Sequence, residues 1–176
     1  MTPPGRLQAM IQRLQATDEA ITTVKPALQA FYDSLSDEQK ARFNEIGQQL
    51  GQPRRPRRAT KDAQVSAANC SGEKAGITNL AINRIEEAVR PTEQQGALLD
   101  KLDEVMQKAV EALRGACPTT TPQTPVGLLD AMQKRAEALI DAANTIRPAL
   151  EEFYASLSDE RKAKINRLGR DIAKAE

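Results

Sequence analysis

Apolar positions recur along the first part of the chain at alternating steps of three and four: Leu7, Met10, Leu14, Thr17, Ile21, Val24, Leu28, Phe31 and Leu35. A spacing that averages 3.5 residues keeps one stripe on one side of an α-helix. The pattern therefore predicts a helix of about 28 residues, ~42 Å long, with this stripe as its packing seam. The same steps return as Leu129, Met132, Ala136, Leu139, Ala143, Ile146, Leu150, Phe153 and Leu157. A shorter amphipathic run follows each, Phe43, Ile46 and Leu50 in the first case and Ile165, Leu168 and Ile172 in the second. Between them, Ile77, Leu80, Ala81, Ile85, Ala88 and Val89 mark a helix that Pro91 ends. Leu98, Leu99, Leu102, Val105, Met106, Ala109 and Leu113 mark the next. Pro26 and Pro148 fall inside the long helices, where a proline removes a hydrogen bond and crowds the preceding turn, so a kink or break is expected at each.

The two long runs are one unit written twice. A shift of 122 positions aligns Gly5–Leu50 with Gly127–Ile172 without a gap, and 22 of the 46 positions are identical. The densest stretch reads KPALQAFYDSLSDEQKARFNEIG in one copy and RPALEEFYASLSDERKAKINRLG in the other. Repeated units tend to pack alike, so the expected fold is all-α, with about six helices in three αα-hairpins and the outer two related by an approximate two-fold. The expected organisation is an N-terminal hairpin over 5–50, a basic Pro-rich linker over 51–69, a middle hairpin over 70–117, a Pro/Thr linker over 118–126 and a C-terminal hairpin over 127–175.

Composition agrees with helices. Aromatic residues make up 3% of the chain, there is no Trp, and the apolar content is rich in Ala and Leu, which fill helical seams better than sheet faces. No run approaches ~20 consecutive apolar residues, so no transmembrane segment is expected. The start, Met1-Thr2-Pro3-Pro4-Gly5, lacks the charged and apolar regions of an export signal. Either the protein is cytosolic or a signal has been removed.

The absence of His removes the usual general base near neutral pH and the commonest transition-metal ligand. Asp100, Asp103 and Glu104 cluster, but they alternate with Lys101 and Lys108 as a solvated helix face does. Phosphate-binding glycine loops and nucleophile elbows are also missing. The expectation is a non-enzymatic protein without cofactor or metal. Its net charge of +1 gives no reason to expect nucleic acid as a partner.

Three segments mark the helix junctions: Leu35-Ser36-Asp37-Glu38-Gln39, Pro91-Thr92-Glu93-Gln94-Gln95 and Leu157-Ser158-Asp159-Glu160-Arg161. A Ser or Thr followed three residues later by Gln is a capping box, in which the hydroxyl accepts from the N3 amide and the Gln accepts from the N-cap amide. Ser36, Thr92 and Ser158 are therefore read as N-caps. Gln39 and Gln95 can complete their boxes, whereas Arg161 has no acceptor and should leave the third weaker. The same three segments resemble variants of LTxxQ, the mark of the Spy/CpxP family of periplasmic proteins. The first replaces Thr by Ser, the second loses Leu, and the third replaces Thr by Ser and loses Gln.

That resemblance implies an ATP-independent chaperone or holdase that binds unfolded or partly folded proteins during envelope stress. The alternative is an adaptor or regulator that binds one folded partner, such as a stress-sensor domain. Spy-type members work as dimers whose hairpins form a shallow cradle. This chain holds two copies of the long unit, so it is expected to make the cradle alone, as a monomer. Tyr32 and Tyr154, one residue off the stripe, either touch client there or merely cover the hairpin ends.

Cys70 precedes the middle hairpin and Cys117 follows it, side by side if the hairpin is antiparallel. The expected disulfide would add about 4 kcal/mol by closing a long loop. It would also imply an oxidising compartment, in agreement with a periplasmic location. The alternative is two unrelated thiols. Arg54, Arg55, Arg57 and Arg58 form the one dense charge run, expected as a solvated linker or as a contact for client or an anionic surface.

Overall fold

A computed structural model describes residues 2–51, 75–117 and 122–175 of the chain, with side chains described for 2–47, 82–117 and 122–168. These residues form six helices and no strand: α1 (Pro3–Ser34), α2 (Asp37–Gly51), α3 (Ala75–Val89), α4 (Glu93–Gly115), α5 (Pro125–Ser156) and α6 (Asp159–Ala175). The two long helices begin alike. Thr2 Oγ1 accepts from Gly5 N at 3.2 Å and Thr124 Oγ1 accepts from Gly127 N at 3.0 Å, each with proline directly after the cap. Proline suits the first helical position because its missing N–H would be unpaired there in any case. The repeat thus starts at Thr2 and Thr124, three residues earlier than the aligned identities, and Pro125 opens α5 inside the expected Pro/Thr linker. Both helices continue past Pro26 and Pro148 without a break.

α1 and α5 pack antiparallel along their length. Gln133 Nε2 donates to Thr22 Oγ1 at 3.1 Å, Lys25 Nζ lies 2.5 Å from Asp130 Oδ1, and Arg147 Nη1 donates to Gln8 Oε1 at 3.0 Å. Allowing for the repeat offset, Lys25 with Asp130 and Arg147 with Gln8 are one pair of positions exchanged. That exchange is the approximate two-fold the repeat predicts.

The seam runs along a different stripe from the one the apolar spacing predicts. Along α1 and its C-cap the stripe withdrawn from solvent includes Leu7, Ile11, Leu14, Asp18, Ile21, Lys25, Leu28, Tyr32 and Leu35, whereas Met10, Thr17, Val24 and Phe31 are exposed. Both stripes share Leu7, Leu14, Ile21, Leu28 and Leu35. They differ in whether the intervening residue lies three or four positions on, and α5 takes the four-residue side even though it carries Asp18 and Lys25.

Within each outer unit the two helices meet at the bend, Phe31 with Phe43 and Tyr154 with Asn166, and the short helix packs elsewhere beyond it. α2 packs chiefly on the start of α5, and α6 reaches α1 in the corresponding way. A Cβ on Gly47 would stand 3.0 Å from Pro125 Cγ, so glycine is what permits this approach of α2. α3 and α4 break the symmetry, with α4 antiparallel on α5 and α3 against α4 and α6. The main core forms there from Ile82, Val89, Leu99, Leu102, Ala149, Phe153, Leu157 and Ile165. The side chains of Leu50, Ile77, Leu80, Ala81 and Ile172 lie outside the described residues. So does Cys70, which leaves the expected disulfide outside them too, and Cys117 follows α4 half-buried.

Candidate interaction site at the helix junctions

Capping chemistry sets each junction. Ser36 Oγ accepts from Gln39 N at 3.3 Å, and Ser36 N donates to Gln39 Oε1 at 2.9 Å. Thr92 and Gln95 exchange the same two bonds at 3.4 and 3.1 Å. At the third junction Ser158 Oγ accepts from Arg161 N at 3.5 Å, and the arginine is turned elsewhere. Asp37, Glu38, Glu93, Asp159 and Glu160 stand in the first turns, where negative charge complements the helix dipole. The Glu160 carboxyl is held below its ordinary range, chiefly by the hydrogen bond from Lys164 and then by that residue's charge.

Arg161 links the C-terminal junction to the middle hairpin. Its Nε donates to Val89 O at 3.1 Å, Nη2 to Arg90 O at 3.0 Å and Nη1 to Gln95 Oε1 at 3.1 Å. Val89 ends α3, and Arg90 sits in the left-handed region at φ 48°. That conformation costs a non-glycine residue about 1 kcal/mol or more. Here it presents two carbonyls at a helix C-terminus to a cation, which the dipole also favours. Gln95, itself buried, donates from Nε2 to Ser156 O at 2.7 Å, so its amide closes both the capping box and the contact with α5. The capping box was legible at Gln95. This second role was not, because its partners lie 61 and 66 positions away.

The N-terminal junction has the same parts without this cover. Phe153 is 1% exposed, and its equivalent Phe31 is 50% exposed. Leu157 and Ile165 are buried, whereas Leu35 and Phe43 are only half-buried. Phe31 meets Phe43 edge-on, centroids 5.6 Å apart, and among the described residues no helix lies over it as α4 lies over Phe153. The expectation that both phenylalanines enter a seam therefore holds for Phe153 and fails for Phe31.

Tyr32 and Tyr154 act as braces across the bend. Tyr32 Oη donates to Asn44 Oδ1 at 3.1 Å, and Tyr154 and Asn166 bond at 3.1–3.3 Å. Lys40 and Lys162 lie over the two rings at 5.7 and 5.8 Å. Both rings are half-buried, which matches a covering role more closely than a free client surface. Arg54, Arg55, Arg57 and Arg58 lie outside the described residues.

The LTXXQ motif family model matches residues 1–47 and 77–169. The chain belongs to the LTXXQ motif family. Most of both long units and of the middle hairpin of this LTXXQ protein falls within the match, in keeping with a Spy/CpxP-type relationship. No curated protein and no solved structure matches the chain. Among the described residues, no helix is long and apolar enough to cross a membrane.

Proposed function

We propose that this LTXXQ protein is a non-enzymatic, ATP-independent periplasmic binding protein that holds unfolded or partly folded proteins during envelope stress. The observation that carries this reading is the exposed apolar set Met10, Val24, Phe31 and Ile46, set among charges of both signs on helices whose fold does not need them buried. Such a surface gives loose, reversible contact with exposed apolar segments, and family membership supports it. The α1–α5 pairing brings two equivalent units together within one chain, which supports a working monomer. The deciding experiment is suppression of aggregation of several unrelated unfolded proteins at stoichiometric chaperone. Protection of all of them is expected, and protection of none would point to the adaptor. The Cys70–Cys117 disulfide belongs to the same proposal, since it suits an oxidising compartment. Mass spectrometry of unreduced protein should show a mass about 2 Da below the dithiol form, one hydrogen atom lost per sulfur on oxidation, and two free thiols would refute it.

A further inference from the structure

On α5 the stripe Met132, Leu139, Ile146 and Phe153 is the equivalent of Met10, Thr17, Val24 and Phe31 on α1. The α5 stripe is where α4 docks. Lys101 Nζ meets Glu152 at 2.6 Å and Arg135 Nη1 donates to Leu113 O at 3.4 Å, so α4 runs antiparallel from Phe153 toward Met132 and stops short of it. Ile146 and Phe153 pack into the core beneath α4, and Met132, beyond the end of α4, is exposed. On α1 the same stripe is bare: Val24 is 54% exposed and Phe31 50%. Its outward residues are more apolar than Asp18 and Lys25, which share the seam with α5. A helix is thus the occupant this stripe is built for, because its twin already holds one.

Charge then distinguishes the Phe31 end of the stripe, whereas at the other end Arg6 and Arg13 stand one turn either side of Met10. From Phe31 to Gly47 the chain carries Asp33, Asp37, Glu38 and Glu45 against Lys40 and Arg42. The equivalent span from Phe153 carries Asp159 and Glu160 against Arg161, Lys162, Lys164 and Arg167. Arg42 is paired with Glu38 at 2.6 Å, which leaves the bare junction acidic at its rim. The positive junction meets the carbonyl end of α3 through Arg161, whereas the acidic one complements cationic side chains. It also repels its own copy in a second chain, which disfavours self-pairing through this face.

We propose that the Met10–Val24–Phe31 stripe of α1 docks an amphipathic helix of a partner protein, apolar on one face and carrying Lys or Arg at the end that meets Phe31, laid antiparallel as α4 is on α5. The proposal rests on the chain being a binding protein and names the surface and the chemistry of the occupant. The probe is a capped 22-residue peptide of Leu and Lys, with Leu at the spacing of Leu98, Leu102, Val105 and Ala109, titrated onto the full chain by calorimetry. A peptide with Glu for Lys is the control. The Leu/Lys peptide should bind saturably at one site and the Leu/Glu peptide at least tenfold more weakly. Val24→Gln with Phe31→Gln should lower Leu/Lys affinity at least tenfold while the melting temperature falls by only about 2–4 °C, since both residues are half-exposed, Phe31 gives up only its contact with Phe43, and Gln suits a helix. Leu128→Gln with Met132→Gln, exposed on α5, should bind as the parent does. No saturable binding, equal binding of the two peptides, or unchanged binding by the α1 double variant would overturn the proposal. So would a doubled mass by light scattering that the α1 variant abolishes, since the occupant would then be a second copy. Aggregation suppression measured on the same variants reports on the holdase reading alone, so a failure there leaves the peptide result standing.

Discussion

Phe31 and Phe153 stand at one position of one repeat, in helices that start with the same Thr-Pro cap and end at the same Ser-capped junction. One ring is half in water and the other is closed off by α4. Local sequence does not explain this, because the residues around both rings are nearly the same. What differs is whether a third element is available to lie on the stripe. Among the described residues there are two long units and one middle hairpin, and that hairpin lies on the C-terminal junction. Burial here is a property of the neighbour as much as of the residue.

The largest test of that contrast is truncation of the two rings. Phe153→Ala should lower unfolding free energy by about 3–5 kcal/mol, as loss of a fully buried aromatic does, and Phe31→Ala by about 1 kcal/mol, in line with its smaller buried area. Urea denaturation of both variants measures the difference. Equal costs would mean that something covers the N-terminal junction in solution.

A smaller effect separates capping from cross-linking. Arg161→Gln would complete the third capping box, yet it removes three side-chain bonds that hold α3 and Gln95. The net change should be a loss of about 1–2 kcal/mol. A gain in stability would show that the cap outweighs the contact with the middle hairpin. Gln39→Ala, where the side chain closes only its own box, should cost about 0.5 kcal/mol.

Ser36→Ala should cost about 1 kcal/mol, the usual effect of losing a hydroxyl cap. Ser158→Ala should cost less, because its box is half made. Equal values from thermal unfolding would mean that the missing Gln at position 161 does not matter to the cap.

The smallest effect lies at Glu160, which is fully exposed. A carboxyl whose pKa is depressed on folding contributes stability that is present above its unfolded pKa and lost as pH falls through its folded pKa. Lys164→Gln should therefore move the Glu160 titration, followed by NMR, back toward the ordinary value of about 4.5. Melting temperature at neutral pH should stay unchanged, since an exposed pair contributes little.

Much of this protein was set by its sequence alone. The helical periodicity, the Ser and Thr caps, and a repeat at offset 122 define six helices and an approximate two-fold, because each depends on residues a few positions apart or on identity between copies. The choice of seam was not legible. On α1 two stripes share five of nine positions, and apolar content favours the one with Met10, Val24 and Phe31. Only the approach of α5 places Ile11, Asp18 and Lys25 inside instead. Nor could any local pattern show that α2 would pack on α5, that Gln95 and Arg161 would meet, or that α4 would settle on α5 and leave α1 bare. Those outcomes depend on contacts between residues far apart in the chain, where the alternatives are chemically similar and the available partners decide.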